Sequence, residues 1–120
     1  MIGNACILKI YMAETDKLGS SPLYEEIVNK AQKAGIAGAT VYRGILSYGA
    51  SHSIHTMKIF ALSDHLPVVI EIVDEEEKIR EFAARVQEMI SPAHKGVLIT
   101  IQRTEVVDYR AGKKVDSSKN

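Results

Sequence analysis

The chain has 120 residues, of which 46% are hydrophobic and 25% charged, with 15 Lys plus Arg balanced by 15 Asp plus Glu. That length suits one domain and leaves no room for a second, catalytic one. The composition excludes a wholly disordered chain, and zero net charge with no local basic patch excludes a nucleic-acid binder recruited by an overall field.

From Ala5 to Met12 the residues alternate, with Cys6, Leu8, Ile10 and Met12 on one face and Ala5, Ile7, Lys9 and Tyr11 on the other, which predicts a first strand. Cys6 is the single cysteine. It stands in an apolar run without an adjoining cation, so a buried, inert thiol is expected. The N-terminus lacks a basic segment followed by an unbroken apolar run, and no segment is long enough to span a bilayer. The expectation is a cytoplasmic protein with no direct membrane insertion.

Glu14 to Ser20 is polar and predicts a loop, after which Ser21 and Pro22 predict the N-cap and first residue of a helix. Leu23, Ile27, Ala31 and Ala34 recur at helical spacing, and Gly35 supplies the stop. A second strand is predicted from about Ala39 to Tyr48, interrupted by Gly44, and Gly49 to His55 reads as a loop. Thr56 to Leu62 and Pro67 to Val73 predict one long, interrupted third strand. Asp74 and Glu77 have capping-box spacing ahead of a second helix whose apolar stripe is Ile79, Phe82, Ala83, Val86 and Met89, ending at Ser91 and Pro92. Gly96 admits a fourth strand, Val97 to about Val107. Residues 1–110 are expected to form the domain and Ala111 to Asn120 a mobile tail.

The order β-α-β, β-α-β predicts an α+β fold: ferredoxin-like βαββαβ, an antiparallel sheet with two helices on one face. Ile7, Tyr11, Val69, Val73 and Leu98 then lie on the uncovered face, which association of subunits would bury. Scattered surface hydrophobics are the alternative.

The stretch from Gly38-Ala39-Thr40-Val41-Tyr42-Arg43-Gly44-Ile45, through Tyr48-Gly49 and Ser53-Ile54-His55-Thr56, to Leu66-Pro67-Val68-Val69-Ile70-Glu71-Ile72-Val73-Asp74 resembles the PII-like family known as domain of unknown function 190. Pro22-Leu23-Tyr24-Glu25 adds to the likeness, which covers about Ile7 to Val107. The resemblance implies a homotrimeric regulatory protein akin to PII signalling proteins. It also implies an adenine nucleotide in the clefts between subunits and a protein partner, such as a membrane transporter or channel, met by the loop between about Ser47 and Thr56. PII proteins carry a glycine-rich turn with a lysine after the second helix; here only His94-Lys95-Gly96 remains, a shortened phosphate cradle.

A phosphate site needs approachable backbone N–H groups and a cation. Gly44, Gly49 and Gly96 are candidates for the first, and Arg43, Lys58, Lys95 and Arg103 for the second, provided that the assembly brings the loop base near the exit of the second helix. Arg43 to Tyr48, including Ser47, form that loop base and are the natural coupling elements. Glycines that serve turns and solvated cations are the structural alternative. His52 and His55 have ligand-like spacing, and three copies could hold zinc or copper, but no acidic or cysteine ligand is near them in sequence. No nucleophile-elbow or P-loop pattern occurs, so no catalytic residue is assigned and the chain is expected not to be an enzyme. A metal-binding trimer and a ligand-independent interaction module remain as alternative functions.

Overall fold

A computed structural model describes residues 1–48, 55–56, 66–91 and 96–112. The elements, in chain order, are β1 (Gly3–Ala13), β2 (Lys17–Leu18), β3 (Ser21–Pro22), α1 (Leu23–Lys33), β4 (Gly38–Arg43), β5 (Leu46–Ser47), β6 (His55–Thr56), β7 (Pro67–Asp74), α2 (Glu76–Ile90) and β8 (Leu98–Val106). Four strands form one sheet in the order β4-β7-β1-β8, every neighbouring pair antiparallel. With both helices packed on one side, this is the ferredoxin-like arrangement that the sequence predicts.

The core follows from the alternation of β1 and β7. Cys6, Leu8, Ile10 and Met12 of β1, with Val68, Ile70 and Ile72 of β7, are buried under Leu23, Ile27 and Ala31 of α1 and Ile79, Phe82, Ala83, Val86 and Ile90 of α2. Gly35, at φ +75°, ends α1. Its N–H donates to the Gln32 carbonyl (3.1 Å) and the Ile36 N–H to the Ala31 carbonyl (3.1 Å), a paired closure that needs a left-handed residue at this point.

Both helix starts differ from expectation. Ser21 is not the cap of α1: it is held in the β2-β3 hairpin opposite Leu18, Pro22 takes the cap position without a side-chain bond, and the Leu23 N–H donates to the Asp16 carbonyl (2.8 Å). Asp74 does not form a capping box with Glu77, because Glu75 occupies the cap position. Asp74 is instead the last inward-facing residue of β7 and is buried. Its Oδ1 accepts from the Glu75 N–H (2.7 Å) and its Oδ2 from the Ala37 N–H (2.9 Å), tying the α1–β4 connection to the entrance of α2.

The second strand also stops sooner than predicted. β4 ends at Arg43, and Leu46–Ser47 pair separately with His55–Thr56. The Gly44 N–H donates to the Pro67 carbonyl (2.9 Å), but proline has no N–H to return the bond, so the ladder cannot continue. Of the long third strand, β7 is present; residues 57–65 lie outside the described residues, as do Pro92 and residues 113–120 of the expected tail.

On the face away from the helices, register aligns Tyr42, Val69, Tyr11 and Leu98 in one row, Thr40, Glu71, Lys9 and Thr100 in the next, and Gly38, Val73, Ile7 and Gln102 in a third. Tyr11 is 38%, Tyr42 43% and Leu98 56% exposed. The Tyr42 hydroxyl donates to Glu71 Oε2 (3.2 Å).

Replacing Asp74 by Ala leaves the partly buried Ala37 N–H without its acceptor and is expected to lower unfolding free energy by about 1–2 kcal/mol in urea titrations. Glu75→Ala, which removes no side-chain cap, should change it by less than about 0.5 kcal/mol.

Candidate ligand-binding site

Three chain ends meet at one end of the sheet: the exit of β1 at Ala13, the exit of β4 at Arg43 and the entrance of β7 at Pro67. Backbone bonds hold them together. The Glu14 N–H donates to the Leu66 carbonyl (2.7 Å), and the Gly44 N–H to the Pro67 carbonyl. A side-chain bond closes the group: Arg43 Nε donates to Glu14 Oε1 (2.9 Å) and Arg43 Nη2 to Glu14 Oε2 (2.6 Å), a bidentate ion pair. The Glu14 side chain is 22% exposed and that of Arg43 61%.

The electrostatics follow this geometry. The hydrogen bond from Arg43, helped by its charge and opposed by partial desolvation, holds the Glu14 carboxyl below its ordinary value of 4.5. The same bond and the Glu14 charge raise Arg43.

Gly44 has a structural reason of its own. A Cβ there would come within 3.2 Å of Pro67 Cγ, so the strand crossing itself favours glycine. Ser47 lies in β5 opposite His55, and beside it Ile45, Leu46 and Tyr48 are strongly exposed, an apolar and aromatic face at the root of the loop. Of the other residues singled out from the sequence, Gly49, His52, Lys58 and Lys95 lie outside the described residues, and His55 is placed only by its backbone in β6. Among the described residues no group of three His, Cys, Asp or Glu could hold a metal ion.

Gly96 lies just ahead of Leu98, the register partner of Tyr11, so it shares the Arg43 end of the sheet but stands at the opposite edge. Three strand spacings, about 14 Å, separate those edges. Arg103 is not brought to this end. It pairs with Cys6, some five residues or about 17 Å further along β8, and its Nη1 donates to Glu76 Oε1 (3.2 Å) at the start of α2. Glu76 also accepts from Arg80 Nε (2.9 Å), and that hydrogen bond foremost, followed by the charge of Arg103, lowers its carboxyl below 4.5.

Sequence reasoning passed over Glu14, which opens a polar stretch with nothing in its spacing to mark it. Its partner is 29 residues away, and only the strand register brings the two together.

Comparison with known proteins adds a family and a fold. The DUF190 family model, described as "Uncharacterized ACR", matches residues 5–106. A UPF0166 protein of Aquifex aeolicus is 41% identical over 84% of this chain and 91% of its own, and a UPF0166 protein of Methanocaldococcus jannaschii is 44% identical over 72% of this chain and 79% of its own. Among solved structures, CPII of Thiomonas intermedia K12, a nitrogen regulatory PII-like protein bound to ADP, AMP and bicarbonate, superposes with a TM-score of 0.61 at 15% identity, covering 88% of this chain and 92% of that one. At that identity the likeness is one of fold, and it is PII-like.

Because the folded Glu14 carboxyl is held below 4.5, the stability that the pair contributes is fully present above that pH and is lost as pH falls through the lowered value. Urea unfolding of the wild type and Glu14→Gln should therefore differ by a nearly constant amount from pH 7 down to about pH 5.5, and the difference should shrink as pH falls below 4.5 and through the lowered value.

Proposed function

The chain belongs to the DUF190 family, and from that premise we propose that it is a PII-like regulatory protein whose ligand site is completed only between subunits. Three copies close over their open sheet faces, an anionic ligand of the adenine-nucleotide class sits between neighbours, and the segment from Ser47 to Thr56 meets a partner protein. The observation that carries this reading is the placement of Arg43 and Gly96 at one end of the sheet on opposite edges. About 14 Å apart within one subunit, they reach a single phosphate group together only when the edge of one copy adjoins the other edge of the next.

The parts suit their roles. The Arg43 fork already grips a carboxylate in two-point fashion, the geometry by which guanidinium also binds phosphate. Gly96, ahead of β8, offers backbone, and Lys95 beside it in sequence supplies a second cation in this reading; Gly49 and Lys58, outside the described residues, belong to it as the glycine and the cation that the sequence places in and just after the loop. Arg103, held by Glu76 at the far end, is assigned to the α2 entrance instead. Ile45, Leu46 and Tyr48 give a protein partner an apolar foothold beside the ligand. The likeness in fold to CPII, whose structure holds ADP and AMP, supports the choice of ligand class, and resemblance to PII proteins supports the number three.

Thermal unfolding with ADP tests the reading. A ligand that binds only folded protein at one hundred times its Kd adds about 2.7 kcal/mol of apparent stability. Wild-type protein should gain stability with ADP, and Arg43→Ala, which removes a charge-assisted contact, should weaken ADP binding about tenfold or more. No shift with ADP, AMP or ATP would remove the nucleotide site and leave the interaction module.

A further inference from the structure

We propose that Glu14 is a latch on this site: its carboxylate holds the Arg43 guanidinium that an anionic ligand needs, so that ligand binding and release of the loop base become one event. The proposal rests on the reading of Arg43 as a ligand contact.

Three observations carry it. Glu14 occupies Nε and Nη2 of Arg43, the edge of the guanidinium nearest the backbone, at 2.9 and 2.6 Å. A ligand phosphate must displace the carboxylate from that edge or bind at the remaining N–H groups beside a negative charge that repels it. Either way the glutamate lowers affinity for an anion. The pair is also unequal: the Glu14 side chain is half-buried while that of Arg43 is mostly exposed, so Arg43 is the member with more room to turn outward.

The backbone around the pair gives the latch its reach. The N–H of Glu14 is bonded to the carbonyl of Leu66, and Gly44, next to Arg43, is bonded to the carbonyl of Pro67. Leu66 and Pro67 are where the chain re-enters the sheet after the loop, and Arg43 and Gly44 are where it leaves. The Glu14 side chain therefore ties the exit of the loop to its return through a third strand end. Breaking that tie at Arg43 removes a cross-brace from both feet of the loop at once, which is a physical route from ligand to loop.

Competition of this kind has a definite arithmetic. A fork closed by its internal partner about nine-tenths of the time presents about one-tenth of its intrinsic affinity to an outside anion. Calorimetric titration of the full chain with ADP should therefore give about three- to tenfold tighter binding for Glu14→Gln than for wild type. The gain should vanish when Arg43→Lys is added, because lysine lacks the fork. Hydrogen exchange of the Gly44 amide, followed by mass spectrometry, should be faster in Glu14→Gln without ADP than in wild type, and ADP should speed it in wild type only. Unchanged or weaker ADP binding by Glu14→Gln would overturn the latch and make Glu14 a support that orients Arg43. If neither protein binds ADP, the nucleotide reading fails and the latch that rests on it is overturned with it, whereas ADP binding by wild type with no gain in Glu14→Gln overturns the latch alone.

Discussion

A four-stranded sheet with both helices on one side has its other face uncovered among the described residues, and much of this molecule can be understood from that imbalance. The covered side is a conventional core, with Leu8, Ile10, Ile70 and Ile72 sealed beneath Phe82 and Val86. The other side carries the Tyr42, Val69, Tyr11, Leu98 row and the Val73 and Ile7 pair, separated by the polar row that holds Lys9 and Glu71. Burying the apolar rows is worth about 25 cal/mol for each Å² removed from water, whereas a charged row in the same face is costly to desolvate unless it finds partners. A face built this way suits another copy that meets it in one register, with the bond from Tyr42 to Glu71 as a first element of polar satisfaction.

The proposed assembly would also account for the dispersal of the candidate site residues within one chain. Arg43 ends one edge strand and Gly96 precedes the other, so a surface made of copies arranged edge against edge gathers what a single sheet keeps apart. The loop base belongs to that end as well. Pro67, lacking an N–H, ends the ladder of β4, its ring favours glycine at position 44, and Glu14 braces the junction from the third side. Strand termination, loop position and the chemistry of Arg43 are thus consequences of one local arrangement.

Much of the fold was legible because it rests on local signals. The period-two pattern of β1 and β7, the period of α1 and α2 and the left-handed stop at Gly35 all appear where the residues predict them. The misplaced details depend on tertiary partners. Ser21 is a plausible cap until the β2-β3 hairpin claims it, and Asp74 has a cap's spacing but is turned inward by the alternation of its own strand to serve Ala37, half the sheet away in sequence. For the candidate site the sequence offers residue types, cations and glycines around a loop, but no constellation. Arg103 belongs with Glu76, and Glu14 becomes visible only when strand register sets it against Arg43.

The most direct test of an interface built on the open sheet is the solution mass of the chain by multi-angle light scattering at micromolar concentration. Closure of three sheets predicts a mass three times the 13.2 kDa of one chain. A mass equal to one chain would leave the Tyr11 and Leu98 row in water and Arg43 apart from Gly96, and would contradict a ligand site shared between subunits.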